Sequence, residues 1–265
     1  MKITALVENR TSCELGAEHG LSIYIEAGHH KILFDLGPGH LLFENAAKRQ
    51  IPLDAVDTVV ISHGHDDHGG ALGEFLQVNH KAKVYLQRAA FEPHYNIKDG
   101  KRLYCGLDVS LMNHPQVVLL DGDHIIDEEL QLFTVPDHSR CWSPMNGVLY
   151  AGDVPDDFRH EHHLIITENG KNYLVMGCGH TGIVNILTRA KEFHPVLTVG
   201  GFHLMNPDTG ETVSDSLLDE IAGEMAAYPE MRFYTCHCTG YPVYQYLAKK
   251  LPNLSYLSCG DVIEA

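Results

Sequence analysis

Residues 61–70, ISHGHDDHGG, set His63, His65, Asp67 and His68 in an H-x-H-x-D-H string between a run of β-branched residues and two glycines. Imidazole and carboxylate are the side chains that suit zinc and its neighbours. On an extended segment, residues two apart face the same way, so His63 and His65 can grip one ion. A tight turn, helped by Gly64, Gly69 and Gly70, would aim Asp67 and His68 at a second. Two metals ~3.5–4 Å apart sharing a bridging water form a hydrolytic device. The chain carries 19 histidines, so the string needs support from elsewhere. At this chain's own His and Asp frequencies it would arise by chance on the order of 0.6% of the time.

That support is a repeated arrangement: a strand ending in Gly, Cys or Ser, and then a histidine. It occurs at Ser62-His63, Gly177-Cys178-Gly179-His180, Gly200-Gly201-Phe202-His203 and Cys236-His237. In α/β folds, ligands collect at the carboxyl ends of strands, so loops distant in sequence can meet there. The elements that would carry them alternate from end to end. Strands are expected at 2–7, 21–26, 31–35, 55–62 and 83–87, with a helix at 39–50. Further on, a hairpin turns at Asn169-Gly170, followed by strands at 196–201, 232–236 and 254–258 between helices at 182–193, 214–228 and 242–250. The pattern implies one α/β domain over 1–265. It weakens from about 88 to 160, where short strands near 116–120, 131–135 and 147–151 lie among Pro, Gly and Asp. That stretch reads as a specificity or lid region, with Tyr104, His114, Trp142 and Tyr150 as candidate contacts.

Composition narrows the function. A net charge of -16 argues against nucleic acid as a partner, since phosphate backbones are held by clustered Lys and Arg. No apolar run approaches ~18 residues, so no membrane partner is expected. Seven cysteines without a CxxC, and a start lacking an apolar leader, fit a cytoplasmic protein. Cys178, Cys236 and Cys238 stand apart from the other thiols because each is within two residues of a strand-end histidine.

With FDLG at 34–37, then SHGHDDHGGAL, then the later strand-end histidines, the chain resembles the metallo-β-lactamase superfamily along its whole length. That resemblance implies an αββα sandwich: two mixed sheets face to face, helices outside, metals at one edge. AEHGLSIYIE, GCGHTGIVNIL, GGFHL and CHCTG together resemble the subgroup named for 7,8-dihydropterin-6-methyl-4-(β-D-ribofuranosyl)aminobenzene-5'-phosphate synthase, the dihydropteroate-synthase-like branch. By this resemblance His63 and His65 hold metal 1, Asp67 and His68 hold metal 2, and His237 completes metal 2. His180 goes to metal 1 or a bridging position, with His160 as its rival. Asp35 is the structural aspartate. A bridging aspartate is usual where this chain has GCGH, so either His180 substitutes, Cys178 contributes a thiolate, or the second metal is held loosely. His203 is expected to bind substrate or act as acid or base, and Glu18 and His19 to line the pocket.

The function implied is a binuclear metallohydrolase. Two divalent ions, zinc first with manganese or iron as alternatives, would generate a bridging hydroxide oriented by Asp67. The substrate would be a small molecule with an ester, phosphoester or related bond, a phosphate group on it being one option. A pterin-diphosphate-dependent arylamine transferase is the alternative within the subgroup, and a non-enzymatic metal-dependent sensor the alternative outside catalysis.

Overall fold

In a computed structural model that describes residues 1–265, two seven-stranded sheets stack with their apolar faces together. The first runs in the order Val262–Glu264, Lys2–Val7, Ser22–Ala27, His30–Phe34, Thr58–Val60, Lys83–Gln87, Val117–Leu120. It is antiparallel up to His30–Phe34 and parallel beyond it. The second runs Leu254–Tyr256, Arg232–Thr235, Pro195–Gly200, Lys171–Val175, His163–Glu168, Leu130–Phe133, His124–Ile125. Its first four strands are parallel and the rest antiparallel.

Successive strand residues point to opposite faces, and here both faces are buried. Ile32 and Phe34 face the opposing sheet while Leu33 between them faces a helix. Val175 and Leu174 divide in the same way across the second sheet. Three cores result. Between the sheets, Ile25 and Val60 meet Ile166 and Val199. Outside the first sheet, the helices Leu41–Lys48 and Leu72–Val78 bury Leu42 and Phe75 on it. Outside the second, Ile183–Ala190, Asp215–Met225 and Tyr241–Leu247 bury Ile186, Ile221 and Val243. This is the αββα sandwich expected from the sequence.

The hairpin reading at Asn169-Gly170 holds: both residues have positive φ and Glu168 pairs with Lys171 around them. Several boundaries differ. The strand expected over 55–62 is only Thr58–Val60, because Leu53–Ala55 forms a 3-10 turn and Ser62 turns its donors to Asp35. The helix Leu72–Val78 and the last strand, Val262–Glu264, were not read from the sequence. Within 88–160 a small four-stranded sheet forms, ordered Val154–Pro155, Leu149–Ala151, His94–Lys98, Lys101–Tyr104.

Candidate metal centre

Asp35 follows the strand His30–Phe34 and adopts φ 58°, a left-handed conformation that costs a non-glycine residue about 1–3 kcal/mol. The conformation turns its buried carboxylate onto the ligand loop. It accepts the Ser62 backbone N–H at 2.7 Å, the Ser62 hydroxyl at 2.8 Å and His68 Nδ1–H at 2.7 Å. With its proton given to Asp35, Ser62 Oγ can only accept from His63 Nδ1, 2.8 Å away. Both histidines thus carry a proton on Nδ1 and turn Nε2 toward the site; on His63, which burial keeps neutral, that nitrogen is bare. Gly177 leaves room for this brace, since a Cβ there would collide with Ser62 Oγ.

His180 is prepared in the same way from the other sheet. Asn146 Nδ2 donates to the His180 carbonyl at 2.9 Å, which leaves Asn146 Oδ1 to accept His180 Nδ1–H at 3.0 Å. The bare His180 Nε2 faces His63 Nε2 at 3.3 Å. Two unprotonated nitrogens that close repel unless a cation lies between them. Tetrahedral zinc with bonds of 2.0–2.1 Å sets its nitrogens about 3.3 Å apart, so the spacing fits a metal. The rings of His63, His65 and His180 form a triangle with centroids 4.6, 4.8 and 5.0 Å apart. His65 Nε2 is buried without a partner in the protein. These three residues fit one divalent ion.

His160, the rival third donor, has no nitrogen to offer. Its Nδ1 accepts the Gly64 backbone N–H at 2.9 Å, so its proton is on Nε2, which donates to Asp156 at 3.1 Å. His160 therefore holds the turn between His63 and His65. Asp156 also accepts from His94 Nδ1 at 3.0 Å and the Phe158 N–H at 2.8 Å. His65, His94, Asp156 and His160 place donor atoms within 4.8 Å of one another, yet in that group only His65 keeps a free nitrogen.

The second set lies on the other side of His63. His68 Nε2 and His237 Nε2 are 3.2 Å apart, and Asp67 Oδ2 lies 3.3 Å from His237 Nε2 and 3.7 Å from His68 Nε2. Here too Nε2 is bare, because His237 Nδ1 donates to Asn9 Oδ1 at 2.8 Å. Cys178 Sγ is 3.1 Å from His68 Nε2. It groups with His63 and His68, with His180 and His203, and with His237 and Cys238, and so stands between the two sets.

Two buried carboxylates hold the later loops as Asp35 holds the first. Glu161 accepts the backbone N–H of His180 and of Thr181 at 2.8 Å each, and the Thr181 hydroxyl at 2.7 Å. Glu8 accepts the backbone N–H of His237 and the Tyr256 hydroxyl, both at 2.7 Å. Glu8, Asn9, Asn146, Asp156 and Glu161 were not singled out from the sequence. The only local signals were that Glu8 and Asn9 follow a strand end and that Glu161 sits inside a histidine run.

Protonation follows from these surroundings. Burial drives His63, His65 and His180 well below the usual histidine range, and neighbouring histidines push the same way. Burial opposes protonation of His68 too, yet Asp67 and Asp35 carry it up to about 9. Burial would raise Asp67, but His68, His19 and His237 hold it well below the usual carboxylate range.

Through His65 and Asp67 the sets open into a cleft of about 520 Å³, also lined by His19, Asp66, Asn96 and Cys105. Leu149 is the third lining residue from the 88–160 segment; Tyr104, His114, Trp142 and Tyr150 are not among the lining residues. His19, expected there, is half-exposed in the cleft. Glu18 and His203 are not in its lining. Glu18 keeps a buried, unpartnered Oε1. His203 is buried behind His180, ring centroids 4.2 Å apart, because its N–H bonds Cys238 Sγ and its carbonyl accepts the Ser143 hydroxyl. No helix is long and apolar enough to cross a membrane.

Comparison with known proteins agrees with this fold. An uncharacterised protein of Methanocaldococcus jannaschii is 27% identical over 98% of this chain and 99% of its own. From the same organism, 7,8-dihydropterin-6-methyl-4-(β-D-ribofuranosyl)-aminobenzene-5'-phosphate synthase is 25% identical over 85% of this chain and 82% of its own. Among solved structures, a metal-dependent hydrolase of the β-lactamase superfamily superposes with a TM-score of 0.84 at 24% identity, covering 100% of this chain and 99% of that one. The sequence model of the metallo-β-lactamase superfamily matches residues 15–188, from the loop ahead of the second strand to the helix beyond His180. On that match, and on a fold shared along its whole length, the chain belongs to the metallo-β-lactamase superfamily.

Proposed function

We propose that the chain is a binuclear metal-dependent hydrolase acting on an ester, phosphoester or related bond of a small molecule. The carrying observation is the pairing of ring nitrogens turned into the site, His63 with His180 at 3.3 Å, both bare, and His68 with His237 at 3.2 Å. In this reading His63, His65 and His180 hold metal 1, and Asp67, His68 and His237 hold metal 2. Cys178 takes the place between them that a carboxylate usually fills in this superfamily. A nitrogen, oxygen and sulfur donor set of this kind suits zinc. When bound, the two ions would supply an activated water and neutralise charge on the leaving group.

The protein's own contribution is placement. Asp35, Glu161 and Glu8 hold the ligand loops at their backbone, and the cleft admits a small molecule against His65 and Asp67. No Lys or Arg lines it. A phosphate on the substrate would therefore fall to the metals and to the neutral donors Asn9, His19 and Asn96. Seven unpaired cysteines support a cytoplasmic setting.

The test is metal analysis of purified protein with a panel of phosphodiesters, lactones and thioesters. The expected result is close to two metals per chain and turnover of one ester class. Metal-free protein whose activity survives His63→Ala and His65→Ala would sink the reading. Kinship with the synthase favours a second reading, transfer of an arylamine to a dihydropterin diphosphate. Turnover of that pair, and of nothing on the panel, would select it. Metals and ligand retained with no turnover would select a sensor.

A further inference from the structure

His19 sits where a further ligand of metal 2 would be. Its Nε2 is 3.1 Å from Asp67 Oδ2, and its ring centroid is 4.9 Å from that of His237. Its Nδ1 lies 3.3 Å from Asn9 Nδ2. The orientation of that amide is set by a group whose role cannot change. The Gly20 backbone N–H, always a donor, lies 3.3 Å from Asn9 Oδ1. His237 Nδ1 meets the same oxygen at 2.8 Å. The amide nitrogen must then face His19, so His19 Nδ1 accepts and its proton is on Nε2, aimed at Asp67.

We infer that Asn9 is a positioning residue that sets two ring tautomers in opposite senses. It strips the proton from Nε2 of His237, which is left to ligate, and fixes one on Nε2 of His19, which is barred from ligating. The consequence is chemical: catalytic metal sites keep an open position, whereas a full set of protein ligands makes a structural one. By holding His19 as a donor to Asp67, Asn9 keeps metal 2 open on the side that faces the cleft. An aspartate at the same place would accept from both rings, move the His19 proton to Nδ1 and free Nε2 to bind.

The inference rests on the binuclear reading, but its first test does not. Ring 15N spectra of the metal-free protein should show His19 with its proton on Nε2 and His237 with its proton on Nδ1. A proton on His19 Nδ1 would overturn the inference, whether or not the protein binds metal. In zinc-loaded protein, His19 should show no metal-induced shift of Nε2, whereas His237 should. Asn9→Asp should then hold the second zinc about tenfold more tightly against a chelator, with turnover reduced. Adding His19→Ala to that variant should remove the gain. Retention unchanged in Asn9→Asp, or a gain that survives removal of His19, would also overturn it. Loss of metal from the unaltered protein would count against the binuclear reading alone.

Discussion

The two donor sets lie side by side, yet they differ in charge. His63, His65 and His180 are three buried, neutral imidazoles whose protons are already on the far nitrogen or driven off by burial. Across His63, Asp67 and His68 form a charged pair, with His68 carried up to about 9 by Asp67 and Asp35. A metal would enter the first set without displacing a proton from any of its three histidines at neutral pH. In the second it must displace the one on His68. On the binuclear reading, one string, H-x-H-x-D-H, would serve two half-sites with different loading rules.

The largest effects should come from the ligands. His63→Ala and His237→Ala should each lower hydrolysis by about 1,000-fold or more, the several kcal/mol that metal electrostatics supply. Metal counts should separate them: the first variant keeps ion 2 and the second keeps ion 1. Equal loss of both ions from either variant would break the division.

The braces come next. Glu161→Ala should weaken retention of metal 1 through His180, and Glu8→Ala that of metal 2 through His237, each by about 10–100-fold. If Glu8→Ala weakened both ions alike, the braces would be general supports of the fold and not partners of one half-site.

Cys178 tests the boundary between the halves. With cobalt in place of zinc, the protein should show a sulfur-to-metal charge-transfer band that Cys178→Ser abolishes. Affinity for each ion should fall about tenfold. A band that persists in the variant would remove Cys178 from the site.

The pH dependence should be smaller still. In Cys178→Ser, where no thiol proton is displaced, affinity for metal 2 should rise about tenfold per pH unit up to about pH 9, while metal 1 stays level above pH 7. The same shift bears on stability without metal. The folded His68 value lies above the ordinary 6.5, so its contribution is complete below pH 6.5 and lost as pH rises through about 9. The melting temperature of metal-free protein should fall by a few degrees over that window, and bound zinc should flatten the trend. A metal-free melting temperature that is flat from pH 6.5 to 9 would remove the protonated His68 from the comparison.

Much of this was legible in the chain. Asn169-Gly170 announces its hairpin because both residues tolerate positive φ. The helices and strands of the second half show in periodicity, because each buries a stripe or face in one of three cores. The H-x-H-x-D-H string and the strand-end histidines pointed to the six histidine and aspartate donors now proposed, with His160 as a rival to His180 and Cys178 as one of three ways to replace the expected aspartate. Less was legible between 88 and 160, where short strands of the small sheet leave little alternation to read and Asn146 and Asp156 look like ordinary turn residues.

The sequence by itself determined the candidate donor types, their strand-end placement and an α/β domain, because these follow from side-chain chemistry and local periodicity; the sandwich came from the resemblance to the superfamily. Only the tertiary structure decided which histidines have a nitrogen to give. His160 and His180 look alike as residues, but Gly64 and Asp156 occupy both nitrogens of one, while Asn146 leaves Nε2 of the other bare. A ring tautomer is set by hydrogen-bond partners that here lie up to 228 positions away in the chain. No local pattern encodes those partners, and the packing of two sheets brings them together.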